Sequence, residues 1–199
     1  MLPKEIRIFI ERFSKLPSIG PRLATRLAFF ITHHNPTLLS ELESALHGLS
    51  NLEPCDRCFS LKERESKACD LCLDAGRKPD LIAIVEKETD RLSIEKTRAF
   101  RGRYMVLGEL SEKGVLSTEQ KKRIERLKKI LTDECHGKAK EIIVALPPTT
   151  FGDFTAMLVT QALQGFSETI TRLGRGIPTG GEIEFADQET LENAIKGRT

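Results

Sequence analysis

No apolar run in this chain is long enough to cross a bilayer, so a membrane span is not expected. The opening MLPKEIRIFIERF breaks its apolar residues with charge and offers no leader-like core. An intracellular, cytoplasmic protein is therefore the default expectation. Charge of one sign is also scarce, with a formal net charge of +2. That excludes a polycation coating nucleic acid over its whole surface, so any DNA contact must come from a local patch. Phosphate-cradling signatures are missing too: there is no G-x-x-x-x-G-K-[ST] and no G-x-G-x-x-G opening a helix. The four glycines within residues 173–181 read instead as a loop needing special backbone angles, at a subunit contact. Internal repeats and low-complexity tracts are absent. What is present, 39% hydrophobic and 30% charged residues in 199, describes a folded protein with one principal domain and small appendages.

Four of the five cysteines lie in CDRCFSLKERESKACDLC, as two Cys-x-x-Cys knuckles with ten residues between them. A redox centre, a disulfide pair and a metal site are the three readings. Structural disulfides are rare in a reducing compartment, and a thioredoxin-like centre needs one knuckle after a strand, not two around a charged spacer. Zinc fits best: thiolates of Cys55, Cys58, Cys69 and Cys72 close a tetrahedral shell. One Zn²⁺ per chain is expected. With no open coordination position it builds structure and activates no water. The segment is too short and polar to bury a core, so metal binding would supply its folding free energy. Cys135 has no partner in sequence and reads as an inert small residue near a loop.

Periodicity divides the rest. Ile6, Phe9, Ile10 and Phe13 mark an amphipathic helix over 3–13. Pro21 starts a second, with Leu23, Leu27, Phe30 and Ile31 on its apolar face. Asn35-Pro36 stops it and caps a third, with Leu38, Leu39, Leu42, Leu46 and Leu49 inward. A Gly76–Asp80 linker follows the cysteines. Apolar strands are then expected at 81–86, 103–108, 141–146 and 168–173, alternating with helices. Ser117 and Gln120 form a capping box, and a last helix covers about 188–196. Strands alternating with helices indicate a parallel sheet covered on both faces. In KKRIERLKK (121–129), Ile124 and Leu127 face inward, with Leu131 just beyond, and the lysines form a solvated face or a secondary DNA contact.

Residues 1–34 hold six basic side chains against Glu5 and Glu11, a local excess of four. Within them LPSIGPRLATRLAFF places Gly20 before a helix whose first N–H groups form an anion site. Arg22 and Arg26 are four apart and share one face. No side chain is arranged to read bases, so binding would be sequence-independent and salt-sensitive. The plainer alternative is a helical hairpin with solvated arginines. Leu16, Pro17, Ile19 and Gly20 follow the hydrophobic-Pro-x-hydrophobic-Gly pattern and resemble helix-hairpin-helix DNA-binding motifs.

Strand LIAIVE ends in Glu86, with Glu88 and Asp90 beyond. This resembles the opening of Toprim domains, found in topoisomerases, primases and some nucleases. Catalytic members add an Asp-x-Asp pair after a later strand, because Mg²⁺ wants several converging carboxylates. Here EIIVAL runs into PPTTFGD, the pair is absent, and only Asp153 remains, at a helix start. Glu86 then reads as a structural or partner-binding acid.

The whole order resembles the RecR family of recombination mediators, most specifically in LPSIGPRLATRLAF, the paired knuckles, IAIVE and RGIPTGGEIEFADQETL. The resemblance implies an α+β chain of several parts. These are a helix-hairpin-helix region (1–53), a four-cysteine zinc finger (54–76), an α/β Toprim domain with a mainly parallel sheet (80–166), and a Gly-rich C-terminal segment with a helix (167–199) that completes the sheet and oligomer contacts. It implies a bacterial, nucleoid-associated, non-enzymatic protein. Such proteins bind gapped or single-strand/duplex DNA without sequence preference and act with RecO and RecF to promote RecA loading. They assemble as ring tetramers. By position Cys55, Cys58, Cys69 and Cys72 match the zinc ligands, Gly20, Arg22 and Arg26 the DNA-binding hairpin, and Glu86 the Toprim acid. The chain departs from the family's usual Asn-Pro-Thr and Glu-Gly-Glu after the third strand, with Leu146-Pro147-Pro148-Thr149 and Phe151-Gly152-Asp153, and in a shorter loop GELSEKGV. The alternative function is a Mg²⁺-dependent Toprim nuclease or primase-like enzyme drawing on Glu88, Asp90 and Asp153.

Overall fold

Pro21 opens a helix as expected: its fixed φ suits the first helical position, and it has no N–H to leave unsatisfied. The computed structural model describes residues 2–34, 36–111 and 114–198, Pro36 by its backbone alone. Contacts divide it into two units, Met1–Leu52 and Glu53–Thr199.

The first unit is helical, with α1 (Lys4–Phe13), α2 (Pro21–His33) and α3 (Pro36–Gly48) followed by a 3₁₀ turn at Leu49–Asn51. Ala24 and Ala28 are the buried residues of α2, and such small side chains let α1 pack closely on it. The cap assigned to Asn35 lies outside the described residues. The five leucines read as inward do not turn into a core. Leu39, Leu46 and Leu49 leave 57%, 56% and 62% of their surface exposed. Together with Phe13, Leu27 and Phe30 the α3 leucines line an apolar groove of about 610 Å³. Three helices in one copy have too few neighbours to cover this face.

The second unit opens on a ribbon of β1 (Leu52–Pro54) and β2 (Leu61–Glu63), then the short α4 (Asp70–Leu73). The α/β part follows as β3 (Lys78–Val85), α5 (Glu88–Thr97), β4 (Gly102–Val106), α6 (Thr118–Glu134), β5 (Ala139–Ala145), α7 (Thr150–Leu163) and β6 (Ser167–Arg172). A 3₁₀ turn at Ile183–Phe185 precedes α8 (Gln188–Lys196). The strands run in the order β4-β3-β5-β6, all parallel, with Ile84 opposite Met105 on one side and Val144 on the other. The apolar strands are explained by this burial on both faces. Ile82, Ile84, Ile142 and Val144 pack under Ile124, Leu127 and Leu131 of α6 and Val159 of α7. The capping box forms as read, Ser117 Oγ accepting from Gln120 N at 3.1 Å.

The Gly76–Asp80 stretch is not a free linker. Arg77 is buried, donates to Gly102 O at 2.8 Å and forks onto Glu95, which also accepts from Tyr104 at 2.7 Å. Burial alone would raise the Glu95 carboxyl, but the Arg77 and Tyr104 hydrogen bonds outweigh it and hold the pKa below its ordinary value. Gly102 is required beside this network, because a Cβ there would lie 2.2 Å from Leu81 O.

Candidate nucleic-acid interface and metal centre

The hairpin between α1 and α2 closes by Ile19 N donating to Leu16 O at 3.1 Å, with Ser18 in the left-handed region at φ 63. Gly20 is the N-cap of α2 at φ −80. A Cβ there meets nothing within 4 Å, so nothing inside the chain demands glycine at this point. With no side-chain cap, the N–H groups of Arg22 and Leu23 stay unsatisfied at the positive end of the helix dipole. The helix, PRLATRLAFFITH, contains no acid. Arg22 and Arg26 are both exposed, and neither is held in an ion pair or hydrogen bond among the described residues. Two unpaired guanidinium groups thus stand beside an open helix N-terminus.

In the second unit the four knuckle cysteines converge. The Sγ atoms of Cys55, Cys58, Cys69 and Cys72 all lie within 4.8 Å of one another, and Cys58 and Cys69 are 3.3 Å apart. A tetrahedral thiolate site with bonds of about 2.3 Å separates its sulfurs by about 3.8 Å, so this set fits a metal ion. Cys55, Cys58 and Cys69 are buried and none of the cysteines is in a disulfide. Hydrogen bonds among the four sulfurs push the Cys55 thiol below its ordinary pKa and the Cys58 and Cys72 thiols above theirs, so the fit to a metal rests on the sulfur geometry. Cys135 stands apart at the end of α6, donating to Pro79 O at 3.3 Å, with burial raising its pKa.

Sequence reasoning missed how the knuckle is fastened. Phe59 follows Cys58 in the left-handed region at φ 62. Its ring packs against the buried clusters on both faces of the sheet and lies 4.9 Å from the Arg123 guanidinium. Cys58 O accepts from Val106 N at 2.8 Å, so the knuckle covers the edge strand β4. Arg126 donates to Asp56 O at 2.9 Å, and Arg57 and Arg103 both bind Glu134. The only sequence signal was a large aromatic directly after a knuckle, where a small residue would suffice for metal binding.

β3 stops at Val85, so Glu86 sits one residue past the strand and not at its last position as read. It is buried, pairs with Lys87 at 3.2 Å, and lines a cavity of about 490 Å³ at the carboxyl ends of β3, β5 and β6. The other acids do not gather around it. Glu88 pairs with Arg91, and Asp90 accepts from Lys87 N at 2.9 Å. Asp153 is clamped by Arg175 and, at 2.7 Å, by Arg172, and its pKa is lowered chiefly by the Arg175 hydrogen bonds. Among the described residues the cysteines form the one cluster of three or more potential ligands. In the Gly-rich segment only Gly180 takes a positive φ, at 84. The basic stretch of α6 buries Ile124, Leu127 and Leu131 as expected, while Lys122 and Lys128 pair with Glu119 and Glu125. No described helix is long and apolar enough to cross a membrane.

Comparison with known proteins agrees with this arrangement. A family model for the RecR helix-hairpin-helix matches residues 6–49, one for the Toprim domain residues 80–174, and one for the RecR C-terminal region residues 176–199. The recombination protein RecR of Paenarthrobacter aurescens is 36% identical over 97% of this chain and 95% of its own. That of Gloeobacter violaceus is 34% identical over 100% and 98%, and that of Myxococcus xanthus 36% over 100% and 98%. With relatives this similar over its whole length, and with the hairpin, the parallel sheet and the C-terminal segment each matched, the chain belongs to the RecR family of recombination proteins.

Proposed function

We propose that this protein is a non-enzymatic DNA-binding mediator of recombinational repair. It binds gapped or single-strand/duplex DNA without sequence preference and works with RecO, and RecF, to promote RecA loading in the bacterial nucleoid. The observation that carries the reading is the open, acid-free N-terminus of α2 flanked by unpaired Arg22 and Arg26. A phosphate fits this place, and no adjacent group competes for the arginines. The test is fluorescence anisotropy on gapped DNA across a salt series. Arg22→Ala/Arg26→Ala should weaken binding and flatten the salt slope by about 1.4–1.8 per protomer, from two lost phosphate contacts. Equal binding by wild type and variant would refute it.

The four cysteines would hold one Zn²⁺, whose role is to tie the two knuckles together and stabilise residues 55–72. Chelation should expose these amides to hydrogen exchange, and protection unchanged after metal removal would count against the assignment. The apolar groove of the first unit and the exposed Ile183 and Phe185 favour homo-oligomers, a ring tetramer in this reading. Glu86 remains a candidate partner-binding acid. The Mg²⁺-dependent Toprim enzyme is the weaker reading, since Asp153, Glu88 and Asp90 are each engaged by cations or backbone. DNA cleavage or synthesis that needs Mg²⁺ and is lost in Glu86→Gln would reinstate it.

A further inference from the structure

Four side chains of α2 lie on one stripe. At 100° per residue, Arg22, Arg26, Phe29 and His33 fall within an arc of about 60°, opposite the buried Ala24 and Ala28. The stripe starts at the open helix N-terminus and runs the length of the helix. Its first half carries the two unpaired guanidinium groups. Its second half carries two flat rings: Phe29 keeps 39% of its surface exposed, and the His33 ring is near-parallel to it, at 15° and 6.3 Å between centroids. Arg26, Phe29 and His33 border a shallow groove of about 680 Å³.

Phe29 leaves about two-fifths of its surface exposed on the side of the helix opposite the buried Ala24 and Ala28. Beside a cationic track it has a chemical use. Duplex DNA hides its base faces and presents only phosphates and groove edges. A single strand exposes base faces at the same spacing as its phosphates, and aromatic rings next to a basic groove hold such strands without regard to sequence. We infer that the Arg22–His33 stripe is a single-strand platform, with phosphates on Arg22 and Arg26 and an unstacked base on Phe29 and His33. This rests on the DNA-binding reading of the hairpin and adds to it a preference for the single-stranded part of a gap. No acid on the helix opposes a polyanion, which makes nucleic acid a better fit to the stripe than an acid-bearing protein surface.

The test exploits a blank background: the chain contains no tryptophan. In the full-length protein, Phe29→Trp installs a single reporter. Oligothymidylate should quench its emission, whereas an abasic strand of equal length, with the same phosphates, should not. Phe29→Leu keeps apolar bulk but loses the ring. It should bind single strands about 5- to 150-fold more weakly, with duplex affinity and salt slope unchanged. Three results would overturn the platform. In the first, the abasic strand quenches as well as oligothymidylate. In the second, Phe29→Leu binds single strands like wild type. In the third, the indole emission of the Phe29→Trp protein shifts with protein concentration and ignores DNA, which would make the stripe a contact between copies. Failure of the underlying reading looks different: Arg22→Ala/Arg26→Ala would then leave affinity for every DNA unchanged, and the platform would fall with it.

Discussion

Phe59 tests how the cysteine knuckle is joined to the sheet. It is a non-glycine residue at φ 62, where an L side chain costs about 1–2 kcal/mol. It persists because its partly buried ring packs on both sheet faces and under Arg123. Complete deletion of a buried phenylalanine ring costs about 3–5 kcal/mol, so a partly buried one should cost about 2–3. Phe59→Ala loses the ring and keeps the strained backbone. Its thermal midpoint should fall by about 4–12 °C. Phe59→Gly loses the same ring but relieves the strain, at an entropic cost of about 0.5–1 kcal/mol in the unfolded chain. Glycine should therefore exceed alanine by about 0.5–1 kcal/mol, the reverse of their usual order. Calorimetry and urea denaturation of both variants, loaded with metal under identical conditions, measure the difference. Alanine equal to or above glycine would refute the backbone argument. Wild-type midpoints in both would refute the ring as anchor.

Three further outcomes follow from the same geometry. Glu95→Gln removes the charge that pairs with buried Arg77. The usual 3–5 kcal/mol for breaking a buried pair is reduced by the 22% exposure of Glu95 to about 2–3, and a urea midpoint within error of wild type would contradict this. Gly20→Ala meets open space at an ordinary φ, so stability should fall only by the roughly 0.5–1 kcal/mol that an alanine N-cap costs, while affinity for gapped DNA falls; a loss above about 2 kcal/mol would show that the glycine serves the fold. Arg175 and Arg172 lower the Asp153 pKa, so this contact contributes stability above the unfolded value of 3.8 and loses it as pH falls through the lower folded value. The Asp153 carboxyl carbon followed by NMR should therefore be flat from pH 7 to 5 and shift only below about pH 4; a carboxyl titrating at or above the ordinary aspartate value would contradict the clamp.

What could be read from the sequence was short-range. The Ser117–Gln120 box and the limits of α8 depend on neighbours three or four residues away, and both appear as read. The cysteine cluster was legible because knuckle spacing restricts the chain to one compact arrangement. The start of β3 was not, because Lys78 and Arg77 are ordered by Gly102 and Glu95, about twenty residues on. Asp153 was read as a helix-dipole partner, and it does sit in the first turn of α7. Its main engagement comes from arginines brought back by β6. Phe59 was invisible for a similar reason: its value lies in a sheet formed by residues it does not adjoin. The family resemblance supplied order and homology, but not these local fastenings.

The leucines of α3 are the most instructive misreading, because periodicity names a face and not what covers it. On α2 the groove-lining Leu27 and Ile31 lie about 100–180° around the helix from Arg22, Arg26 and Phe29, and Phe30 stands at the boundary between the two faces. A second copy seated on the Leu27–Ile31 side of the groove would therefore leave Arg22 and Arg26 free. Assembly and DNA contact then become separable on one helix. Leu46→Glu is the probe: Leu46 is already 56% exposed, so a charge there should not unfold a single copy. It should lower the mass measured by light scattering, because an ion would have to be buried in an apolar contact. DNA affinity should fall only by the lost avidity of linked sites, while the salt slope per protomer stays that of wild type. If instead the slope collapses along with the mass, the two faces are not independent, and the arginines need the assembled state to reach DNA at all.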